Sequence, residues 1–110
     1  SGARLQEKLR GLESMDGVGH TRCQGLMGAV EVVADKATKQ LFPAEAGVTP
    51  KLMDAMLERG LYTRAVMDCI CIAPPLVTTD AQIDRLVDIV RESVAAVVSG
   101  AREVAARAAL

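Results

Sequence analysis

Leu5, Leu9 and Leu12 recur at spacings that put them on one side of a helix, with Arg4, Glu7, Lys8 and Arg10 between them. The pattern predicts an amphipathic helix ending near Met15, before the turn-forming pair Asp16-Gly17. Val18 to Cys23 then reads as a strand, Gly25 permits a bend or bulge, and Leu26 to Ala34 continues as a Val-rich second strand. Residues 36–48 read as a loop punctuated by Pro43 and Gly47. Thr49 is placed to cap a second helix, with Pro50 at its first position and Leu52, Met53, Met56 and Leu57 as its apolar stripe. Gly60 supplies a left-handed stop.

Leu61 to Ala65 predicts a short strand, Val66 to Asp68 a tight turn, and Cys69 to Ala73 a returning strand. Pro74 and Pro75 carry no amide hydrogen, so pairing ends there. A capping box, Thr79 with Gln82, opens a long last helix whose stripe runs through Ile83, Leu86, Val87, Val90, Val94, Val97 and Ala101. Gly100 marks a point of weakening or a break near its end. Strands joined by short turns and separated by helices predict an α+β fold, a small antiparallel sheet covered by helices on one face. Residues 1–110 form one domain, without internal repeats.

Composition narrows the function. The 13 basic and 14 acidic residues are interspersed and give a net charge of -1, which argues against nucleic acid as a partner. Phe42 and Tyr62 alone cannot build a base-stacking surface. No apolar run reaches the length of roughly 18 residues that a membrane span needs. Cys23, Cys69 and Cys71 lack a disulfide framework or zinc-ligand spacing; they read as reduced core or near-core thiols, which fits a cytoplasmic setting.

No complete catalytic site emerges. His20 lies in a strand without a nucleophile motif, and Glu31 in the second strand reads as solvent-facing. Gly17, Gly19, Gly25 and Gly28 lack the strand-to-helix setting of a phosphate loop. Lys8, Lys36, Lys39 and Lys51 sit at polar positions, whereas a Schiff-base lysine needs a desolvated pocket. There is no metal-ligand pattern. Arg64 is the candidate binding residue: close to the end of a strand, it could offer its planar fork to a carboxylate, or pair with Asp68 across the turn as an ordinary surface arginine.

The ordered run of motifs resembles a known family. Arg22-Cys23-Gln24-Gly25-Leu26-Met27-Gly28-Ala29-Val30-Glu31 is similar to the strand pair opening the C-terminal domain of class III aminotransferases. Asp35-Lys36-Ala37-Thr38 through Leu41-Phe42-Pro43 resembles the loop that follows it in the omega-transaminase branch. Glu58-Arg59-Gly60-Leu61, then Arg64-Ala65-Val66-Met67-Asp68, then Ala73-Pro74-Pro75-Leu76-Val77-Thr78 resemble the family's helix, arginine strand and Pro-Pro-Leu segment. The similarity covers essentially the whole chain, with one departure: Met67 stands where the family has glycine in the turn.

The resemblance implies the small C-terminal domain of a fold-type-I enzyme that uses pyridoxal phosphate to move an amino group between an amine or amino acid and a keto acid such as pyruvate. The cofactor and its lysine would belong to a large domain outside this chain, so the chain alone is expected to be inactive. The whole protein is expected to be a homodimer or homotetramer, and Arg64 to bind the substrate carboxylate. The amine donor stays open. So does a second reading from the residues alone, a non-catalytic α+β binding or regulatory module.

Overall fold

The computed structural model describes residues 2–75 and 77–108; Leu76, the leucine of the Pro-Pro-Leu segment, lies outside the described residues. Gly2–Arg10 form α1, which tightens into a 3-10 turn over Gly11–Ser14. β1 (Val18–Gln24), β2 (Met27–Val32), α2 (Val48–Glu58), β3 (Arg64–Val66), β4 (Cys69–Ile72) and α3 (Asp80–Ala108) follow. The strands pair antiparallel in the order β1-β2-β4-β3, giving the α+β architecture that the hydrophobic pattern predicts.

Side chains alternate across a strand, so each strand sorts its residues onto two faces. Val30 and Val32 on β2, with Ile70 and Ile72 on β4, are buried on one face. Val30 pairs with Ile70, and Gly28 with Ile72. Above that face lie Leu5, Leu9 and Leu12 from the N-terminal helix and its turn, with Leu52, Met56, Ile83, Val87, Val90 and Val94 from α2 and α3. Gly28 lets α1 come close, since a Cβ there would sit 2.6 Å from Leu9 Cδ1. Gly25, with φ +60, belongs to the β1–β2 turn; the irregularity in β1 falls between Val18 and His20.

The helix boundaries follow from local hydrogen bonds. Gly60, at φ +95, ends α2: its amide donates to Leu57 O at 3.0 Å while the Leu61 amide donates to Met56 O at 2.8 Å, a Schellman closure. The Thr79 box forms as expected, with Thr79 N–H donating to Gln82 Oε1 at 2.9 Å and Gln82 N–H to Thr79 Oγ1 at 3.2 Å. The start of α2 differs from the expected one. Gly47, left-handed at φ 59, precedes the helix, Val48 is its first residue and Pro50 its third. Thr49 does not cap because its hydroxyl is engaged by Asp68.

α3 also corrects the expected weakness at Gly100, running 29 residues straight through it. Its neighbours Val97, Val98 and Ala101 are buried, and that packing outweighs the roughly 1 kcal/mol helix penalty of glycine. Gly100 is exposed, and a Cβ there would meet nothing within 4 Å. Gly100→Ala is therefore expected to stabilise the chain by about 0.5–1 kcal/mol, read as a rise in the midpoint of thermal unfolding. An unchanged or lower midpoint would contradict this account of α3.

Candidate functional site

The helices leave the other face of the sheet open. The ladder pairs Arg22 with Ala29, Ala29 with Cys71, and Cys71 with Arg64. These four residues therefore form one row across the open face, with an arginine at each edge and two small side chains between them. A shallow trough of about 710 Å³ lies along the row, rimmed at one end by Met27 and Tyr62. A second row sets His20, Glu31, Cys69 and Val66 beside it.

The arginine strand starts later than the sequence pattern suggests. Arg64 is the first residue of β3, Val66 belongs to the strand, and the turn consists of Met67 and Asp68, both left-handed at φ 51 and 63. Two such residues make the primed turn that suits the twist of a tight hairpin. Asp68 tolerates that conformation well, whereas Met67 occupies it at a cost that glycine would not incur.

Asp68 does not pair with Arg64, which overturns the surface-pair alternative. Thr49 Oγ1–H donates to Asp68 Oδ1 at 2.6 Å, and the Asp68 amide donates back to Thr49 Oγ1 at 2.8 Å. The Asp68 carbonyl accepts from Val32 N–H at 2.9 Å. The turn is thus tied to α2 and β2, and Arg64 is exposed with no side-chain hydrogen bond or ion pair among the described residues. Ala65 beside it is buried and fixes the strand to the core.

Of the other candidates, His20, Glu31 and Cys69 share the neighbouring row, and Cys71 lies in the Arg22–Arg64 row itself. His20 is exposed, with Nδ1 3.5 Å from Glu13 Oε2. Glu13 in turn accepts from Thr21 N–H at 3.0 Å and Thr21 Oγ1–H at 2.9 Å, and these bonds hold its carboxyl below the usual range. Glu31 is partly buried on the open face. Cys23 packs against the core and Cys69 is partly buried, but Cys71 is exposed, which corrects its near-core reading. Burial pushes the Cys69 thiol up, with the neighbouring Cys71 adding to the shift.

No lysine is placed for a Schiff base. Lys8 Nζ is 3.8 Å from Asp84, Lys36 donates to the carbonyls of Glu13 and Met15, Lys39 donates to the Gly19 carbonyl, and Lys51 is exposed. The residues present thus do not fit the anchoring of pyridoxal phosphate, and what the site offers chemically is recognition of an anion. Arg22, Cys71 and Tyr62 line the trough although the sequence pattern marks none of them as a binding residue. Alternation places each on a face, but only the β2–β4 pairing brings them together.

The known proteins to which this chain is similar are transaminases. An (S)-enantioselective omega-transaminase from Thermomicrobium roseum superposes with a TM-score of 0.84 at 43% identity, over 87% of this chain and 22% of that one. The omega-transferase of Vibrio fluvialis gives a TM-score of 0.86 at 30% identity, over 96% and 24%. An adenosylmethionine-8-amino-7-oxononanoate aminotransferase of Geobacter sulfurreducens is 40% identical over 96 residues, covering 87% of this chain and 21% of that protein. Residues 1–94 match the family model for Aminotransferase class-III, and the chain belongs to that family. It spans about a fifth of the length of the curated relatives it matches.

Proposed function

We propose that this chain forms the carboxylate-recognition part of a pyridoxal-phosphate-dependent transaminase, which moves an amino group between an amine or amino acid and a keto acid such as pyruvate. The observation that carries the reading is the position of Arg64: exposed on the open face, unpaired among the described residues, and paired in register with the small Cys71. A substrate carboxylate docked there accepts two parallel N–H bonds from the guanidinium, each typically contributing about 1.5–3 kcal/mol. When an uncharged amine takes its place, a long exposed side chain can swing aside into water.

Bound pyridoxal phosphate supplies the electron sink for the reaction. In this reading its lysine and phosphate cup lie in a larger domain of the whole protein, and the active assembly is a homodimer or homotetramer. The exposure of Met27, Tyr62 and Val66 on the open side supports such a partner domain, since side chains of this size gain by being covered. The test is spectrophotometric. Full-length protein loaded with the cofactor is expected to change its visible absorption when an amine donor is added and to recover it with pyruvate. A cofactor spectrum indifferent to every amine and keto acid tried would overturn the proposal.

A further inference from the structure

The arginine at the other end of the row does not stay on its own strand. Arg22 starts on edge strand β1, yet its Nη2 lies 3.8 Å from Sγ of Cys69 on β4, so the side chain crosses over β2 towards the middle of the open face. Cys69 and Cys71 are two residues apart on the same face of β4, about 7 Å along the strand. Arg64 pairs with Cys71. The Arg22 guanidinium and the base of Arg64 therefore converge on one short stretch of β4 from opposite sides.

Neither arginine has an anionic partner there. The trough lining includes Arg22 and Arg64 but no aspartate or glutamate. Glu31, the nearest carboxylate by register, stands in the neighbouring row with His20 and Cys69, and among the described residues it makes no ion pair with Arg22. The one side-chain contact of Arg22, a thiol sulfur, is a weak acceptor. Glu31 lies beside Cys69, close to the Arg22 guanidinium but not ion-paired with it, so the two arginines are only partly balanced, and an anion with two separated acidic ends would pair with both.

We infer that Arg22 is a second carboxylate-binding residue, which with Arg64 selects dicarboxylic keto acids and amino dicarboxylic acids over monocarboxylic ones. This rests on the transaminase reading above and specifies its substrate class. Arg64 grips the carboxylate next to the reacting carbon, which pyruvate also carries; Arg22 takes the distal one, which pyruvate lacks.

The experiment uses full-length, cofactor-loaded enzyme with one amine donor, comparing 2-oxoglutarate with pyruvate. Arg22→Gln is expected to lower the ratio of kcat/KM for 2-oxoglutarate to that for pyruvate by roughly tenfold to a hundredfold, mainly through KM, with Arg22→Lys recovering part of it. An unchanged ratio, including one in which both substrates decline together, would overturn the assignment. Should the glutamine variant fail to accumulate, inhibition of the wild-type enzyme decides: glutarate is expected to compete with the keto acid at least about tenfold more tightly than butyrate, and equal inhibition would overturn it. An Arg64→Ala enzyme that handles pyruvate normally would instead remove the carboxylate reading on which this inference rests, so the two failures are distinguishable.

Discussion

Full-length enzyme carrying Arg64→Ala is expected to lose roughly tenfold to a hundredfold in kcat/KM for amino acids and keto acids while retaining its reaction with a simple amine. The size follows from the bonds removed. A bidentate guanidinium–carboxylate pair in an open trough contributes at the lower end of charge-assisted bonding, about 1.5–3 kcal/mol after solvent screening. In the proposed reading the amine half-reaction, followed in a single turnover, does not engage the guanidinium and serves as the internal control. Arg64→Lys keeps the charge but loses the planar fork, so recovery should be partial. Equal losses with amine and acid would mean that Arg64 supports the fold of β3 rather than the substrate.

The largest effect on stability is expected at Gly17. This residue is buried at φ +87, and its carbonyl accepts from Val33 N–H at 2.7 Å. A Cβ added there would lie 2.4 Å from Cγ2 and 3.0 Å from Cγ1 of Val98, itself buried on α3. Two costs then combine. The left-handed backbone is unfavourable for alanine by about 1–2 kcal/mol, and overpacking against a stiff β-branched neighbour adds about 1–3 kcal/mol. Gly17→Ala should therefore destabilise the chain by about 2–5 kcal/mol, lowering its thermal midpoint by roughly 10 °C or more. Gly11→Ala is the control, because Gly11 is exposed and a Cβ there would meet nothing within 4 Å. Similar melting curves for the two variants would show that the Gly17 contact is not limiting.

Much of the fold was legible because its signals are local. The alternation of Val30 and Val32 with Ala29 and Glu31, the Thr79–Gln82 box and the stop at Gly60 each act within a few residues, and each appears where the sequence places it. The misplaced boundaries involve distant partners. Thr49 reads as a cap until Asp68, far along the chain, claims its hydroxyl. Leu61 to Thr63 has the composition of a strand, yet the ladder starts at Arg64, and Thr63 reaches the Cys71 carbonyl through its side chain instead. Arg64 was legible as a binding candidate through family resemblance. The crossing of Arg22 towards β4 was not, because it depends on which hairpin edges meet.

That meeting has a kinetic consequence. The sheet consists of two hairpins with tight turns, β1–β2 and β3–β4, joined along a single β2–β4 seam. Isolated hairpins close within microseconds, whereas the seam requires the long intervening segment to give up its conformational freedom first. Until the seam zips, the edges carrying Arg22 and Arg64 move separately, so the row that joins them across the open face is completed only with the β2–β4 pairing.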